Sequence, residues 1–300
     1  MEGAYHTPVL LKDCIEALNI RPNGVYVDAT FGGGGHSGEI LKHMQAGRLF
    51  GFDCDEDAAM NKLEDKRFTL IARNFRELKA ALSEQNVTEI DGLLADLGVS
   101  SHQFDSAERG FSTRFDAQLD MRMSKKSRRS ASEILATYSD ENLKRIFREY
   151  GELRNASQVV RKIMTNRNHI HTVNEFKNVI APCAERGKEN QFYAKVFQAL
   201  RIEVNDELNA LKELLIQSKE VLKEGGRIAI ISYHSLEDRI IKNFFRSGKF
   251  EGEIEKDIYG NVQAPFSVVN RKPIVPDEKE IQQNSRARSA KLRIAVRTRN

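Results

Sequence analysis

Residues 27–37 read VDATFGGGGHS: the end of a β-branched run with an acid in it, four glycines, then a histidine and a serine. Four consecutive residues without Cβ let the backbone bend tightly and approach closely whatever lies beside it. The run falls where a first buried strand gives way to a first helix, the place where open α/β sheets bind cofactors. A phosphate-cradling P-loop is excluded, because GKS/T is missing and His36 stands where the lysine belongs.

Outward from this bend, short apolar runs alternate with helical patterns. GVYVDAT (24–30) is a strand candidate, and a helix is expected from His36 to about Gln45. GRLFGFD (47–53) is a second strand, followed by a helix from Glu56 to Leu63. RFTLIA (67–72) precedes a helix over Phe75–Gln85, and IDGLLADLGV (90–99) is a fourth strand. Strands rich in Val, Ile and Leu on both faces, separated by helices, make a parallel sheet covered on each side. The pattern stops at Asp96 and resumes near residue 198. There, residues 198–222 put Leu200, Val204, Leu208, Leu211 and Leu215 on one helical stripe. GGRIAIISYHS (225–235) is a fifth buried strand with a helix opening near Leu236. FSVVNRKPIV (266–275) and SAKLRIAVRTR (289–299) read as two further strands closing an edge.

Strands four and five of a doubly wound fold are usually joined by one helix and short loops, roughly thirty residues in all. Here the interval is far longer, and its patterns (131–151, 156–168 and 172–183) are helical. The expected organisation is an α/β domain from 1–105 plus 198–300, with a helical domain of 106–197 inserted in the crossover. That block holds 18 Lys/Arg against 11 Asp/Glu, a net of +7, whereas the rest of the chain nets −3. A basic block of this kind suits a polyanionic partner. The three cysteines, Cys14, Cys54 and Cys183, are far apart with no C-x-x-C pair, which argues against a disulfide framework or a zinc site. No metal is expected. No apolar run is long enough to span a bilayer, and the N-terminus lacks the signature of a secretory signal. The expected compartment is the cytoplasm, with no membrane partner.

The ligand of the glycine bend is narrowed by its neighbours. Dinucleotide folds want G-x-G-x-x-G, and GGGGHS has no glycine at the sixth place. S-adenosylmethionine enzymes more often carry an acid four residues ahead of the first glycine, as Asp28 is to Gly32. Asp53 ends the second strand, at the distance where a carboxylate accepts hydrogen bonds from ribose hydroxyls. Loop and acid together favour S-adenosylmethionine over NAD. LLADLGVSSHQFD (93–105) sets Asp96 at the carboxyl end of a buried strand, where catalytic groups of open sheets sit, with Ser100 and Ser101 just beyond. A carboxylate at the lip of a buried strand needs a partner. The Asp/Asn-Pro-Pro-aromatic motif of many base methyltransferases is absent here, so position alone leaves the acceptor undecided.

HTPVLL (6–11), DATFGGGGHS (28–37), DGLLADLGVSSHQFD (91–105), ERGFS (108–112), LDMRM (119–123), YGE (150–152), FQALRI (197–202), HSLEDRI (234–240) and NSRARSAKLRIA (284–295) follow one another in order. This series resembles the RsmH (MraW) family over nearly the whole chain. The resemblance implies an α/β, doubly wound, Rossmann-like class I S-adenosylmethionine-dependent methyltransferase with an inserted α-helical domain for RNA recognition. It implies methyl transfer to the exocyclic N4 of a cytidine in 16S ribosomal RNA, in the decoding region of the small subunit. Gly34, Gly35 and His36 would line the cofactor, Asp53 would take the ribose hydroxyls, Phe75 would lie against the adenine, and Asp96 and Gln103 would complete the pocket. His102 stands where the family usually has proline, and Phe104 replaces a leucine.

Cytosine N4 is a weak nucleophile, its lone pair being delocalised into the ring. A group that accepts an N–H hydrogen bond favours the geometry of attack. Asp96, the hydroxyl of Ser100 or Ser101, and His234 are the candidates. The base must leave its stack to reach a sheet rim, and RMSKKSRRS (122–130) and RARSAKLRIAVRTRN (286–300), each free of acids, are candidate phosphate contacts. A competing reading is an RNA-binding assembly factor with a non-catalytic fold, which would not need an intact glycine loop or Asp53.

Overall fold

The computed structural model describes residues 8–100, 109–124, 129–252 and 264–299. In chain order, α1 (Leu11–Leu18) leads into β1 (Val25–Asp28), and α2 (Gly35–His43), β2 (Arg48–Phe52), β3 (Phe68–Ile71), α3 (Leu78–Glu84) and β4 (Ile90–Asp96) follow. Then come α4 (Ala131–Thr137), α5 (Asp140–Glu149), α6 (Ala156–Asn166), α7 (Val173–Ile180) and α8 (Glu189–Asn205). The chain closes with α9 (Glu207–Val221), β5 (Leu222–Ser232), α10 (Ser235–Ser247), β6 (Phe266–Val268), α11 (Glu278–Gln283) and β7 (Lys291–Arg297).

The strands form one sheet in the order β3-β2-β1-β4-β5-β7-β6. The five from β3 to β5 are parallel, and β7 runs antiparallel between β5 and β6. The sheet is therefore mixed, with β7 antiparallel to both of its neighbours. Strand order reverses between β1 and β4, the switch point outside which open sheets leave a crevice. Alternate residues of the inner strands serve opposite faces: Val27, Leu93, Ile228 and Ile230 join one apolar cluster, and Tyr26, Leu94, Ala229 and Ile231 the other. Apolar content on both faces is what a buried sheet demands. Two expected helices are tighter than α: Glu56–Asn61 is 3₁₀ throughout, and Phe75–Glu77 is a 3₁₀ turn ahead of α3. The first of these carries Asp55 as its cap and two acids in its opening turn, but only Ala58 is buried, too little apolar contact to hold a longer helix.

The chain divides into two compact units, Met1–Gly98 with Leu208–Asn300, and Val99–Glu207. The second has its own core, in which Ile134, Leu143, Phe147, Val160, Ile163, Phe176, Val196 and Leu200 meet. Its helices begin where side chains satisfy the first amides: Ser130 with Glu133 at α4 and Thr172 with Glu175 at α7 each form a reciprocal capping box. The stripe read as one helix over 198–222 is broken at Asp206, which takes φ +52. Leu200 and Val204 pack in the helical core, and Leu208, Leu211 and Leu215 pack in the sheet core. One sequence periodicity thus feeds two cores, and the boundary falls at the break. Among the described residues no helix is long and apolar enough to cross a membrane.

Candidate cofactor and catalytic site

The glycine bend connects β1 to α2. Gly34 has φ +76, and a Cβ there would come within 3.0 Å of the Phe31 ring; one on Gly35 would overlap Pro8 Cγ at 2.3 Å. The chain's own packing therefore requires both glycines. The bend also leaves α2 with no side-chain cap and no acid in its first turn. A helix N-terminus in this state presents amide N–H groups and positive potential to an anionic ligand group.

Asp28 fastens the bend. It is 1% exposed, its Oδ2 accepts from Ser37 Oγ at 2.7 Å, and its Oδ1 accepts from the Thr30 amide at 3.1 Å. Burial holds its carboxyl above the usual range, opposed by the neighbouring His36 and the Ser37 hydroxyl. Asp53, one residue past β2, accepts from the Gly32 amide on Oδ2 and from the Asp55 amide on Oδ1, both at 2.8 Å. Burial pushes it up to about 6 against those two amides. Each of its oxygens has a second lone pair left for a hydroxyl donor.

Asp96 closes β4. Its amide donates to Thr30 Oγ1 at 2.6 Å, and its Oδ1 accepts from the Tyr233 hydroxyl at 2.7 Å. His36 Nδ1 lies 4.0 Å from Oδ2. His36 Nε2 is 3.0 Å from the Val9 carbonyl, so that nitrogen must carry the hydrogen, and the other attracts Asp96 when the ring takes a second proton. Burial raises Asp96 to about 6, with His36 and Tyr233 pulling it back and the charges of Asp28 and Glu237 adding to the rise. Tyr233 is itself held well above the usual phenol range by burial and by the Asp96 charge.

The structure thus brings His36 and Asp96 together, and Asp53 against the bend. Phe75 is half-buried, opening the turn after β3 and packing against the sheet core. His234 caps α10: its Nδ1 accepts from the Glu237 amide at 3.4 Å, while Glu237 returns an oxygen to the Tyr233 amide at 2.9 Å. Its buried Nε2 stands 3.2 Å from Glu237 Oε1 without a hydrogen-bond partner. Ser100 belongs to the second unit. Gln103 and Ser101 lie outside the described residues, as do residues 125–128 of the basic run 122–130. Tyr233 carries no motif that marks it in the sequence. Its signal was position alone, an aromatic hydroxyl one residue past a buried parallel strand.

The C-terminal basic run is absorbed by the fold. Arg293 is 7% exposed and pairs with Asp238 at 2.6 Å, and Arg297 donates to the carbonyls of Lys219 and Pro265. These cations are occupied by the protein itself, so the candidate phosphate contact at 286–300 loses its two best-held members. Arg122, in the other run, is likewise paired with Asp120.

The chain matches the family model described as the MraW methylase family over residues 3–298. It is 54% identical over 294 residues to the ribosomal RNA small subunit methyltransferase H of Christiangramia forsetii, covering 97% of each chain. It is 55% identical over 297 residues to the protein of the same name from Cytophaga hutchinsonii, covering 98% of this chain and 99% of that one. With the Bacteroides thetaiotaomicron protein of that name the identity is 53% over 297 residues, 98% of each.

Proposed function

The chain belongs to the MraW methylase family, and on that footing we propose that this S-adenosylmethionine-dependent ribosomal RNA methyltransferase acts on the exocyclic N4 amine of one cytidine in 16S RNA. The site is in the decoding region, reached within the small subunit, in the cytoplasm where subunits are assembled. The inserted helical unit recognises the RNA. The observation that carries the reading is the set of three carboxyls, Asp28, Asp53 and Asp96, arranged around a bend that only glycine can make.

The residues fit the donor. The uncapped start of α2 suits its carboxylate, the remaining lone pairs of Asp53 suit its ribose hydroxyls, and Phe75 offers an aromatic edge to its adenine. Gly34 and Gly35 let the chain turn tightly between Phe31 and Pro8 at the start of α2. When bound, the donor supplies an electrophilic methyl on a sulfonium, whose C–S bond breaks as the N4–C bond forms.

Asp96 is the acceptor for the N4 proton. The amine turns cationic as it takes the methyl, and a carboxylate beside it stabilises that charge and then removes the proton. Three contacts hold Asp96 still: Thr30 at its amide, Tyr233 at Oδ1 and His36 beyond Oδ2. With a carboxyl near 6, most molecules hold it ionised at neutral pH while it remains basic enough to take a proton. His234 has its Nδ1 committed to the helix cap, and Ser100 sits past the strand end; both rank behind Asp96. A binding factor without catalysis is disfavoured by the intact bend and Asp53. The test is mass spectrometry of ribosomal RNA nucleosides from cells lacking the gene. Loss of N4-methylated cytidine is expected, and unchanged levels would remove the assignment.

A further inference from the structure

The outer face of α6 is the part of the second unit that the function above leaves unused. By helical spacing Gln158, Arg161, Lys162 and Thr165 share one face, and all four are exposed. Ala156, Val159, Val160 and Ile163 are fully buried on the opposite side, which fixes how the helix is turned. Arg154, also exposed, stands just ahead of the helix.

Several cations of this unit's other helices are paired with acids, although Arg148, Lys177 and Lys195 form no ion pair among the described residues. On α5, Lys144 pairs with Asp140, and Arg145 pairs with Glu203 at 3.1 Å and Glu149 at 3.6 Å. Ahead of α8, Lys188 pairs with Glu185 at 2.9 Å. Residues 153–174, which include all of α6, contain no Asp or Glu. Among the described residues Arg154, Arg161 and Lys162 form no ion pair with a carboxylate. An ordinary solvated surface mixes both signs. A face with three free cations and two neutral hydrogen-bonding side chains, and no acid, is instead built to meet negative charge.

We propose that this face, Arg154 through Thr165, is where the second unit grips the phosphate backbone of the substrate RNA. The assignment rests on the chain being a ribosomal RNA methyltransferase. Gln158 and Thr165 are seven residues apart on α6, about 10 Å along the helix axis, so the face between them is long enough to reach more than one phosphate. Such contacts carry no sequence information; they fix register and leave base choice to the pocket at the sheet rim.

The test compares two double variants of the full-length protein, Arg161→Gln/Lys162→Gln on α6 and Lys144→Gln/Lys188→Gln on paired cations of the same unit. Binding to an in-vitro transcript of the 16S decoding region is measured across a salt series, with calorimetry of S-adenosylmethionine as a fold check. Each phosphate contact to a single strand contributes about 0.7 to the slope of log K against log salt. The α6 variant should flatten the slope by about 1.4, the control should leave it nearly unchanged, and cofactor affinity should hold in both. Equal slopes in the wild type and the α6 variant, or equal flattening in both variants, would overturn the assignment. A wild-type protein that neither binds nor methylates the transcript or the subunit would instead overturn the function on which it rests.

Discussion

The acids at the sheet rim and the cations on α6 are charged groups handled in opposite ways. Asp28 is buried, Asp53 and Asp96 are half-buried, and each is held by named donors, so its position and its affinity for a proton are set by the protein. The α6 cations are exposed and pair with no carboxylate among the described residues. Transfer chemistry needs a fixed geometry and a tuned proton acceptor. Capture of a long polyanion needs only potential and reach, and tolerates disorder in the side chains. Burial with partners, more than charge or residue type, separates the two uses.

Arg293 tests that division hardest, since it lies in a basic run yet is buried against Asp238. Removing one member of a buried ion pair leaves the other charge uncompensated, so Arg293→Ala should lose about 3–5 kcal/mol in denaturant unfolding. The salt slope for RNA should not change. A loss below about 1 kcal/mol, with a flatter slope, would move Arg293 to the RNA-facing group. Asp96→Asn should come next. The amide keeps the size and cannot take the proton, so kcat should fall roughly 10²-fold or more, with a smaller change in cofactor dissociation constant. An equal loss in both would make Asp96 a cofactor residue alone. Asp53→Ala should do the reverse, weakening S-adenosylmethionine by about 1–3 kcal/mol through lost charge-assisted hydrogen bonds. Because its carboxyl sits near 6, wild-type cofactor affinity should also decline as pH falls below that value. Calorimetry at two pH values measures both effects.

The sheet was legible because buried parallel strands write continuous apolar runs, and VDATFGGGGHS marks a bend in it that tolerates no side chain. Asp28, Asp53 and Asp96 could be found from strand ends alone. Two things were hidden. The break at Asp206 leaves no trace, since an aspartate in a helical stripe is ordinary and only the left-handed φ reveals the switch between cores. The partnership of Tyr233 with Asp96 joins residues 137 positions apart, and adjacency of β4 and β5 alone creates it. The C-terminal basic run shows the same limit: Arg293 is spoken for by Asp238, an acid that only folding brings near.

Tyr233→Phe is the finest cut, because it removes one hydroxyl and keeps the ring that lies against Gly98. That hydroxyl stabilises the ionised Asp96, whose carboxyl burial has raised from 3.8 to about 6. Without it, burial and the charges of Asp28 and Glu237 are opposed chiefly by His36, so the carboxyl moves further up, by about one unit for a lost bond to a charged group. The sign follows for rate and for stability. If the carboxylate is the working form, kcat/KM in the wild type climbs through about pH 6, and in the variant that limb shifts to higher pH while the plateau near pH 9 changes little. Because the folded value lies above the unfolded one, ionising Asp96 costs stability as pH rises from about 4 to 6, and the cost is constant above. The variant should therefore match the wild type in stability near pH 4 and fall below it above pH 7. A limb that stays in place would mean that another group supplies the base, since a residue that only packs would lower both profiles without displacing them.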